Sequence, residues 1–510
     1  MTTISRLPLH PILFAAYAVL FLWAANLNEV LLVDAVAPLG WNVVGATAVL
    51  GVAAVPFRDA RRGAIVASAL VVCFCAFGHL APAGKDLGLE EPVQLAIWSA
   101  VVIAATIHAA RARGTLAGTT GALNGVAALL VFLALVQIVP YEASRTTRAA
   151  AAPNGTVAAR TSATGTPDVY FVVFDRYGSA DAIARRFDIA DNDLYEWLAA
   201  QGFQLPEDSR ANYRATDFSL AATLNMRLLD HLTAEVGRVS SDRTPARQML
   251  REHEVGRFLK AQGYRYYHLG SWFGPTASNP MADANLALGA TSEFEAVLRD
   301  TTVVPAVERL LGIEAAGLTF RDRHREGALF QFRQLHRLAS APGPKFVFAH
   351  VVLPHAPYVF RADGTVILEA EARAADEAAL YAGQLAFLNA RIKELVERLL
   401  AGPDESDPIV ILQGDEGPLM CRNVDCPTDT PEYFATRFRI LNAMYLPGVD
   451  EALPDTFTSV NTFRTLFRAY FGADLEPLPD RSFTWPDNDH LYDFRDVTDR
   501  IAPLLGRPDT

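Results

Sequence analysis

Three apolar, β-rich runs of this chain end in side chains that bind cations or anions. DVYFVVF runs into Asp175 and Arg176, KFVFAHVVL carries His350 and leads to His355 in PHAP, and PIVILQG delivers Asp415 and Glu416 side by side before Gly-Pro. Adjacent carboxylates raise each other's pKa and cost free energy unless something positive lies against them. A solvated turn would relieve the repulsion by hydration; a divalent cation would relieve it by ligation through oxygen. A fourth stretch, NYRATDFSLAATLNM, opens a helical pattern at Thr216, with Ser219 close behind. Threonine there reads as an N-cap. The same placement sets a hydroxyl among free backbone N–H groups at a positive dipole end, which suits a phosphate or sulfate. A cation held by Asp175, Asp415 and Glu416 would lower the pKa of the Thr216 hydroxyl and make it a nucleophile.

Such residues need a frame that gathers strand ends. Between Pro167 and the C-terminus, short β-rich runs alternate with helical patterns: DVYFVVF, YRYYHLGSW, KFVFAHVVL, the long helical run Glu369 to Leu400, PIVILQ and FRILNAMYL. This alternation predicts an α/β domain with a mainly parallel sheet covered by helices on both faces. Ligands of such sheets gather at the carboxyl ends of the strands. His268, in YRYYHLGSW, is placed either to line a substrate cleft or to pack within its strand. His490, in PDNDHLYDF, reads as a further site candidate or as a solvated loop residue.

The first 140 residues follow different rules. Of the 510 residues 51% are hydrophobic, and the excess concentrates in Leu7 to Ala25, Val36 to Phe57, Gly63 to Leu80, Val93 to Ala110 and Ala122 to Val139. Each approaches or reaches the roughly 20 residues that cross a bilayer core, which predicts a bundle of five transmembrane helices over residues 1–140. Arg6, Arg58, Arg61, Arg62, Arg111 and Arg113 all fall on one side, while the alternate loops carry Glu29, Asp34, Asp86, Glu90 and Glu91. The positive-inside rule puts the N-terminus in the cytoplasm and everything past the fifth span outside, in the periplasm. His10, Asn42, His79 and His108 are polar groups near the ends or faces of the spans, and no Asp, Glu, Lys or Arg interrupts them. A proton or substrate pathway would need ionisable groups near the midplane, so the bundle reads as an anchor. Cys73 and Cys75 read as membrane-buried packing. Tyr141 to Thr166, rich in Ala, Thr, Ser and Arg without an apolar period, reads as a linker, leaving 167–510 as the outer domain.

The outer part resembles the alkaline-phosphatase-like superfamily, in its branch of membrane-anchored sulfatase-like proteins that includes lipoteichoic acid synthases and phosphoethanolamine transferases. The resemblance rests on PDVYFVVFDRYG, NYRATDFSLAATLNM, HLGSWFGP, FVFAHVVLPHAPY, ILQGDEGP, RFRILNAMYLPG and VNTFRTLFRAYFG with LPDRSF. It implies an alkaline-phosphatase-like fold, Asp175 as a metal ligand, Thr216 as nucleophile and metal neighbour, and Asp415 as a ligand. It also implies that His355 holds the substrate's anionic oxygens; the chain's own pattern adds His350, His268 and His490 as substrate-side candidates. The family carries His where this chain has Glu416. Oxygen ligation by Glu416 would favour Mg or Mn over Zn as the single divalent ion, and the substitution leaves open a site that has lost its metal.

The Cys-x-Pro-x-Arg setting of true sulfatases is absent, which favours phosphoester over sulfate-ester chemistry. Two functions follow: a metal-dependent phospho-group transferase or hydrolase acting on a membrane lipid or envelope glycan, or a non-catalytic member that binds or scaffolds envelope components. Cys421 and Cys426 predict a small disulfide loop in an oxidising compartment. A net charge of −12 with no basic cluster excludes nucleic-acid binding.

Overall fold

Every residue of Val169–Phe174 is apolar, so water is excluded from both faces, and the run forms a fully buried inner strand. In this computed structural model, residues 7–151, 167–189, 192–288, 292–312, 319–402, 407–418 and 429–501 are described. The sheet is six-stranded, ordered Ala284–Leu286, Arg265–Leu269, Lys345–Val351, Val169–Phe174, Ile409–Gly414, Asn442–Tyr445. All pairings are parallel except that of the last strand, which is antiparallel to Ile409–Gly414.

The two-residue period of the central strand divides two cores. Tyr170, Val172 and Phe174 pack with Phe332 and Leu335 of helix Phe320–Ala339 and with Leu388 and Leu395 of helix Glu377–Leu399. Phe171 and its neighbours pack on the other side with Phe218 of helix Thr216–Asn225 and Phe463 of helix Thr462–Phe471. The Phe171 and Phe463 rings meet edge to face at 5.1 Å. The mainly parallel sheet with helices on both faces is therefore as expected.

The N-terminal helices are α1 (His10–Ala25), α2 (Leu32–Ala54), α3 (Ala60–Asp86), α4 (Glu91–Arg111) and α5 (Ala117–Ala151). Four of them, α2 to α5, are long and apolar enough to cross a membrane. The expected fifth span, α1, is an apolar helix of 16 residues, about 24 Å long against a hydrocarbon core of about 30 Å. Its first N–H groups are met by α5: Leu9 and His10 donate to Asn124 Oδ1 at 3.1 and 2.9 Å. Helix α5 runs on through Ala151, so the first part of the expected linker is helical. Alanine-rich sequence favours helix wherever nothing breaks it.

Two compact units result. One combines Met1–Ala152 with Thr291–Leu318, and the other combines Pro153–Ala290 with Thr319–Thr510. Within the first unit, helices Glu293–Asp300 and Val304–Leu311 belong with the N-terminal bundle: Phe294 and Leu298 pack with Val19, Trp23 and Ile138.

Candidate active site

Parallel register sets the site. Phe174 lies opposite Val351 on one side and Gly414 on the other, so Asp175 and Asp415 leave adjacent strands at the same level. His350, one residue before the end of its strand, pairs with Val173. One ligand atom each from Asp175, His350 and Asp415 lies within 4.8 Å of the others, and His350 Nε2 is 3.6 Å from Asp175 Oδ2. All three side chains are buried. Asp175 Oδ1, Asp415 Oδ2 and His350 Nε2 have no hydrogen-bond partner. Buried polar atoms left unpaired cost on the order of 1–3 kcal/mol each. One ligand atom from each of these three residues makes a set of two oxygens and one nitrogen that fits a divalent cation.

The surroundings fix these atoms. Asp415 Oδ1 accepts the N–H groups of Arg176 at 3.1 Å and Glu416 at 2.8 Å, which leaves Oδ2 for the site. Arg176 has φ +62°, a left-handed conformation costing about 1–2 kcal/mol for a residue with a Cβ. His350 Nδ1 pairs with Thr276 Oγ1 at 2.9 Å. Behind it, His268 Nε2 donates to the Thr276 carbonyl at 2.9 Å, and its Nδ1 meets Tyr266 Oη at 3.2 Å. His268 is thus a fully buried support for the Thr276 turn, and burial pushes its pKa down to about 4. From helix Phe320–Ala339, Gln331 Nε2 donates to the carbonyls of Leu269, Gly270 and His350 and ties these two strand ends together.

Thr216 is the first residue of its helix, and the N-cap is Ala215 at φ −138° and ψ 140°. The expected capping role is therefore corrected: the chain turns into the helix one residue earlier, where alanine supplies no cap. The Thr216 hydroxyl acts on the Asp415 carboxylate instead, opposing the upward pull of burial on its pKa. Ser219 lies one turn inside, its buried Oγ without a partner. Asp217 is held by Arg243 at 2.9 and 3.0 Å and by Arg247 at 3.4 Å.

Glu416 points to positive charge of the chain's own. Its carboxylate forms a close ion pair with the buried Arg437 and a second with Arg176 at 3.5 Å. Arg437 is clamped by the Arg214 carbonyl at 2.8 and 3.1 Å and the Gly417 carbonyl at 2.8 Å. Burial raises the Glu416 pKa, and the two guanidinium groups pull it part of the way back. Burial, Asp175 and Glu416 push Asp415 well above the ordinary carboxylate range. For Asp175 burial acts upward, but His355, His350 and Arg176 together outweigh it and hold the carboxyl low.

His355 follows the strand Lys345–Val351, and its backbone N–H donates to the Asp175 carbonyl at 3.2 Å. Its Nδ1 is bonded to the Ala356 carbonyl, so Nδ1 carries a proton and Nε2 remains for a ligand. Burial lowers its pKa, and Asp175 opposes that shift. An aromatic wall that no motif announces stands around it: Trp272 lies 6.2 Å from His355 and 6.1 Å from His324, and Phe320 closes on Trp272 at 4.9 Å between centroids. Trp272 Nε1 donates to His324 Nδ1 at 2.7 Å, which fixes His324 as the neutral tautomer with a proton on an unpartnered Nε2. A histidine inside an Arg-rich helical run carries no sequence signal of this kind. His490 is an exposed loop residue bonded to Asp487 at 2.7 Å and is not part of the acid and imidazole cluster. Cys421 and Cys426 lie outside the described residues.

No family model matches this chain, and no curated protein matches it. Among solved structures it is similar to the C-terminal periplasmic domain of EcEptC from Escherichia coli in complex with Zn, at 10% identity, TM-score 0.45, over 68% of this chain and 96% of that one. It is also similar to an alkaline phosphatase superfamily protein from Vibrio parahaemolyticus, at 11% identity, TM-score 0.42, over 68% and 80% of the two chains. A third is the phosphonate monoester hydrolase of Agrobacterium radiobacter, at 12% identity, TM-score 0.40, over 62% and 79%. At these scores and identities the functional reading rests on the geometry above.

Proposed function

We propose that this chain is a membrane-anchored, metal-dependent transferase or hydrolase of phosphoesters with Thr216 as its nucleophile. The observation that carries the reading is the buried cluster of Asp175, His350 and Asp415, one ligand atom of each converging, with Thr216 at a helix start acting on the Asp415 carboxylate. Asp175, His350 and Asp415 would hold one divalent ion, and their mixed oxygen and nitrogen set suits Mn or Zn better than Mg. Bound there, the ion supplies a Lewis acid for a phosphoryl oxygen and an acidifying neighbour for the threonine hydroxyl.

Thr216 Oγ bonds to phosphorus as the bond to the leaving oxygen breaks, and its proton passes to water. The leaving oxygen takes a proton from His355 Nε2 in the fraction of the protein in which the imidazole carries a second proton beside its Nδ1–H, and otherwise from water. In the second half an acceptor hydroxyl or water bonds to phosphorus and gives its proton to His355 Nε2, and Thr216 Oγ departs and takes a proton from water. Arg176 and Arg437 supply fixed positive charge beside Glu416, and His324 Nε2–H is a neutral donor on the aromatic side.

The positive-inside arrangement of the first 140 residues supports a periplasmic catalytic unit that acts on a membrane lipid or an envelope glycan. The metal-loaded full chain is to be incubated with bis(p-nitrophenyl) phosphate, and its peptides analysed for covalent phosphate. Label at Thr216, absent in Thr216→Ala, is the expected result; turnover without label there would overturn the mechanism. The second reading, a binding or scaffolding protein, draws on Glu416, whose carboxylate is occupied by Arg437. Metal-free protein with no covalent capture would favour it.

A further inference from the structure

Helices α2 and α4 both pack along α3, and between them lies a cavity of about 630 Å³. Its wall is apolar, with Leu70, Val71 and Phe74 of α3 among its lining and Val303 and Val307 closing one side. Its few polar residues have turned inward: Asn42 donates to the Pro38 carbonyl at 3.0 Å, Ser99 to Leu95 at 2.8 Å and Cys73 to Trp98 at 3.8 Å. Water in a buried site needs two to four polar partners, and this wall directs those donors away from the space. The lip, at Trp41, Gly45 and Ser99, is exposed.

The wall formed by Val303 and Val307 is bolted in place. Gly78 N donates to the Thr301 carbonyl at 2.8 Å, and Val303 N donates to the Phe74 carbonyl at 2.9 Å. Gly78 and Phe74 are the two ends of one helical turn in α3, so the incoming backbone takes up the groups of that turn. A Cβ on Gly78 would lie 2.2 Å from the Asp300 carbonyl oxygen, so only glycine admits this approach. Arg309 grips Glu91 at the start of α4, with contacts of 2.7 and 3.1 Å. On the outer surface of this segment Val297, Leu310 and Leu311 are exposed.

We propose that this cavity is a binding site for one acyl chain of a membrane lipid. Three of the helices that line it, α2, α3 and α4, are long and apolar enough to cross a bilayer, and the position of Gly78, about 12 Å of helix before the end of α3 at Asp86, sets the closing wall within the apolar zone. The medium at the lip is then hydrocarbon. A void in a close-packed apolar region forfeits its dispersion contacts, water is not held, and a hydrocarbon chain enters from the side without leaving its own medium. A headgroup is excluded because no free charge faces the cavity. Because lipid tails are as apolar as the wall, fit rather than hydrophobicity selects the occupant. The site is separate from the acid and imidazole cluster and does not depend on its chemistry.

The test uses the full chain in vesicles of phosphatidylethanolamine and phosphatidylglycerol, a fraction of the phosphatidylethanolamine carrying a diazirine in its acyl chain. Co-flotation with the vesicles first establishes membrane placement, so failure of that premise is told apart from failure of the site. After illumination, label should concentrate in the peptides holding Leu70 to Cys75 and Leu95 to Val102. Gly45→Phe fills the cavity, since a Cβ at Gly45 meets nothing within 4 Å, and should lower that label about tenfold, roughly 1.4 kcal/mol of lost affinity. Gly51→Phe, equally uncrowded and off the cavity, should leave it unchanged. Label spread evenly over all exposed helix faces, or unaltered in Gly45→Phe, would overturn the proposal.

Discussion

Replacing Arg437 by methionine removes the guanidinium facing Glu416 while keeping an aliphatic stem of similar length. The Arg176 contact at 3.5 Å is worth roughly 4–5 kcal/mol at an effective dielectric of about 20, and Arg437 lies closer still. Breaking a buried pair by deleting one partner ordinarily costs about 3–5 kcal/mol, so Arg437→Met should lower the stability of the metal-free chain by that amount. The same change releases the Glu416 carboxylate, which then either takes a proton or turns to a cation. Calorimetric titration of the full chain in detergent with Mn and Zn, beside thermal unfolding with and without metal, reads both consequences. Arg437→Met should bind metal about tenfold more tightly than wild type, and saturating metal should return part of the lost stability, ~2.7 kcal/mol at a hundredfold excess over Kd. Glu416→Gln should bind with nearly wild-type affinity, because Asp175, His350 and Asp415 remain. If Glu416→Gln stays folded yet no longer binds metal, Glu416 is a ligand and the charge-pair reasoning fails.

Thr216→Ala should abolish turnover and move stability by less than the ~1 kcal/mol of a lost cap, because Ala215 is the N-cap; full turnover in that variant excludes Thr216 as nucleophile. Gly78→Ala should cost roughly 2–5 kcal/mol through overpacking and two lost hydrogen bonds, and hydrogen exchange over Glu293 to Leu311 should quicken by at least about tenfold; unchanged exchange would contradict the backbone exchange at Gly78. Acid should unfold the catalytic unit early. Burial lowers His253 and His324 to about 3 and His268 to about 4, so their stabilising neutral state is complete above the ordinary value of 6.5 and is lost as pH falls below it. By pH 5 the three together cost roughly 6 kcal/mol, and the double variant His253→Gln, His268→Gln should flatten the pH dependence of urea unfolding between 6.5 and 5. An equally steep dependence would refute the assignment.

Much of this architecture was legible because it is periodic. Val169–Phe174 and Ile409–Gly414 are short apolar runs bounded by turn residues, and their alternation with helices specifies parallel pairing and so the gathering of Asp175, His350 and Asp415. Side-chain direction was not legible. The pair Asp415 and Glu416 required positive charge, but the sequence could not show that Arg437, from helix Pro431–Phe438, provides it for Glu416. His350 was recognisable as strand-borne, yet its place beside Asp175 depends on register. The one-residue offset at Ala215 and Thr216 is decided by local backbone geometry, and no cap preference would select alanine. Glu293–Leu311 reads as ordinary helix within the outer domain, because nothing local announces that its partner is a glycine more than two hundred residues earlier.

That long-range pairing orders the protein's biogenesis. A ribosome has made α3 long before it makes Thr301, so during synthesis the turn from Phe74 to Gly78 must wait without its final partners while the chain through Ala290 is made. The N-terminal bundle reaches its final form only after Glu293–Leu311 has been made and has returned to it. A fragment cut after the last N-terminal helix would keep an open seam in α3. The complementary fragment from Pro167 onward would carry Phe294, Leu298, Val303 and Val307 into water, where such surfaces promote self-association. Expression of either half alone thus supplies a poor guide to the whole, whereas coexpression of the halves gives the seam a chance to close in trans.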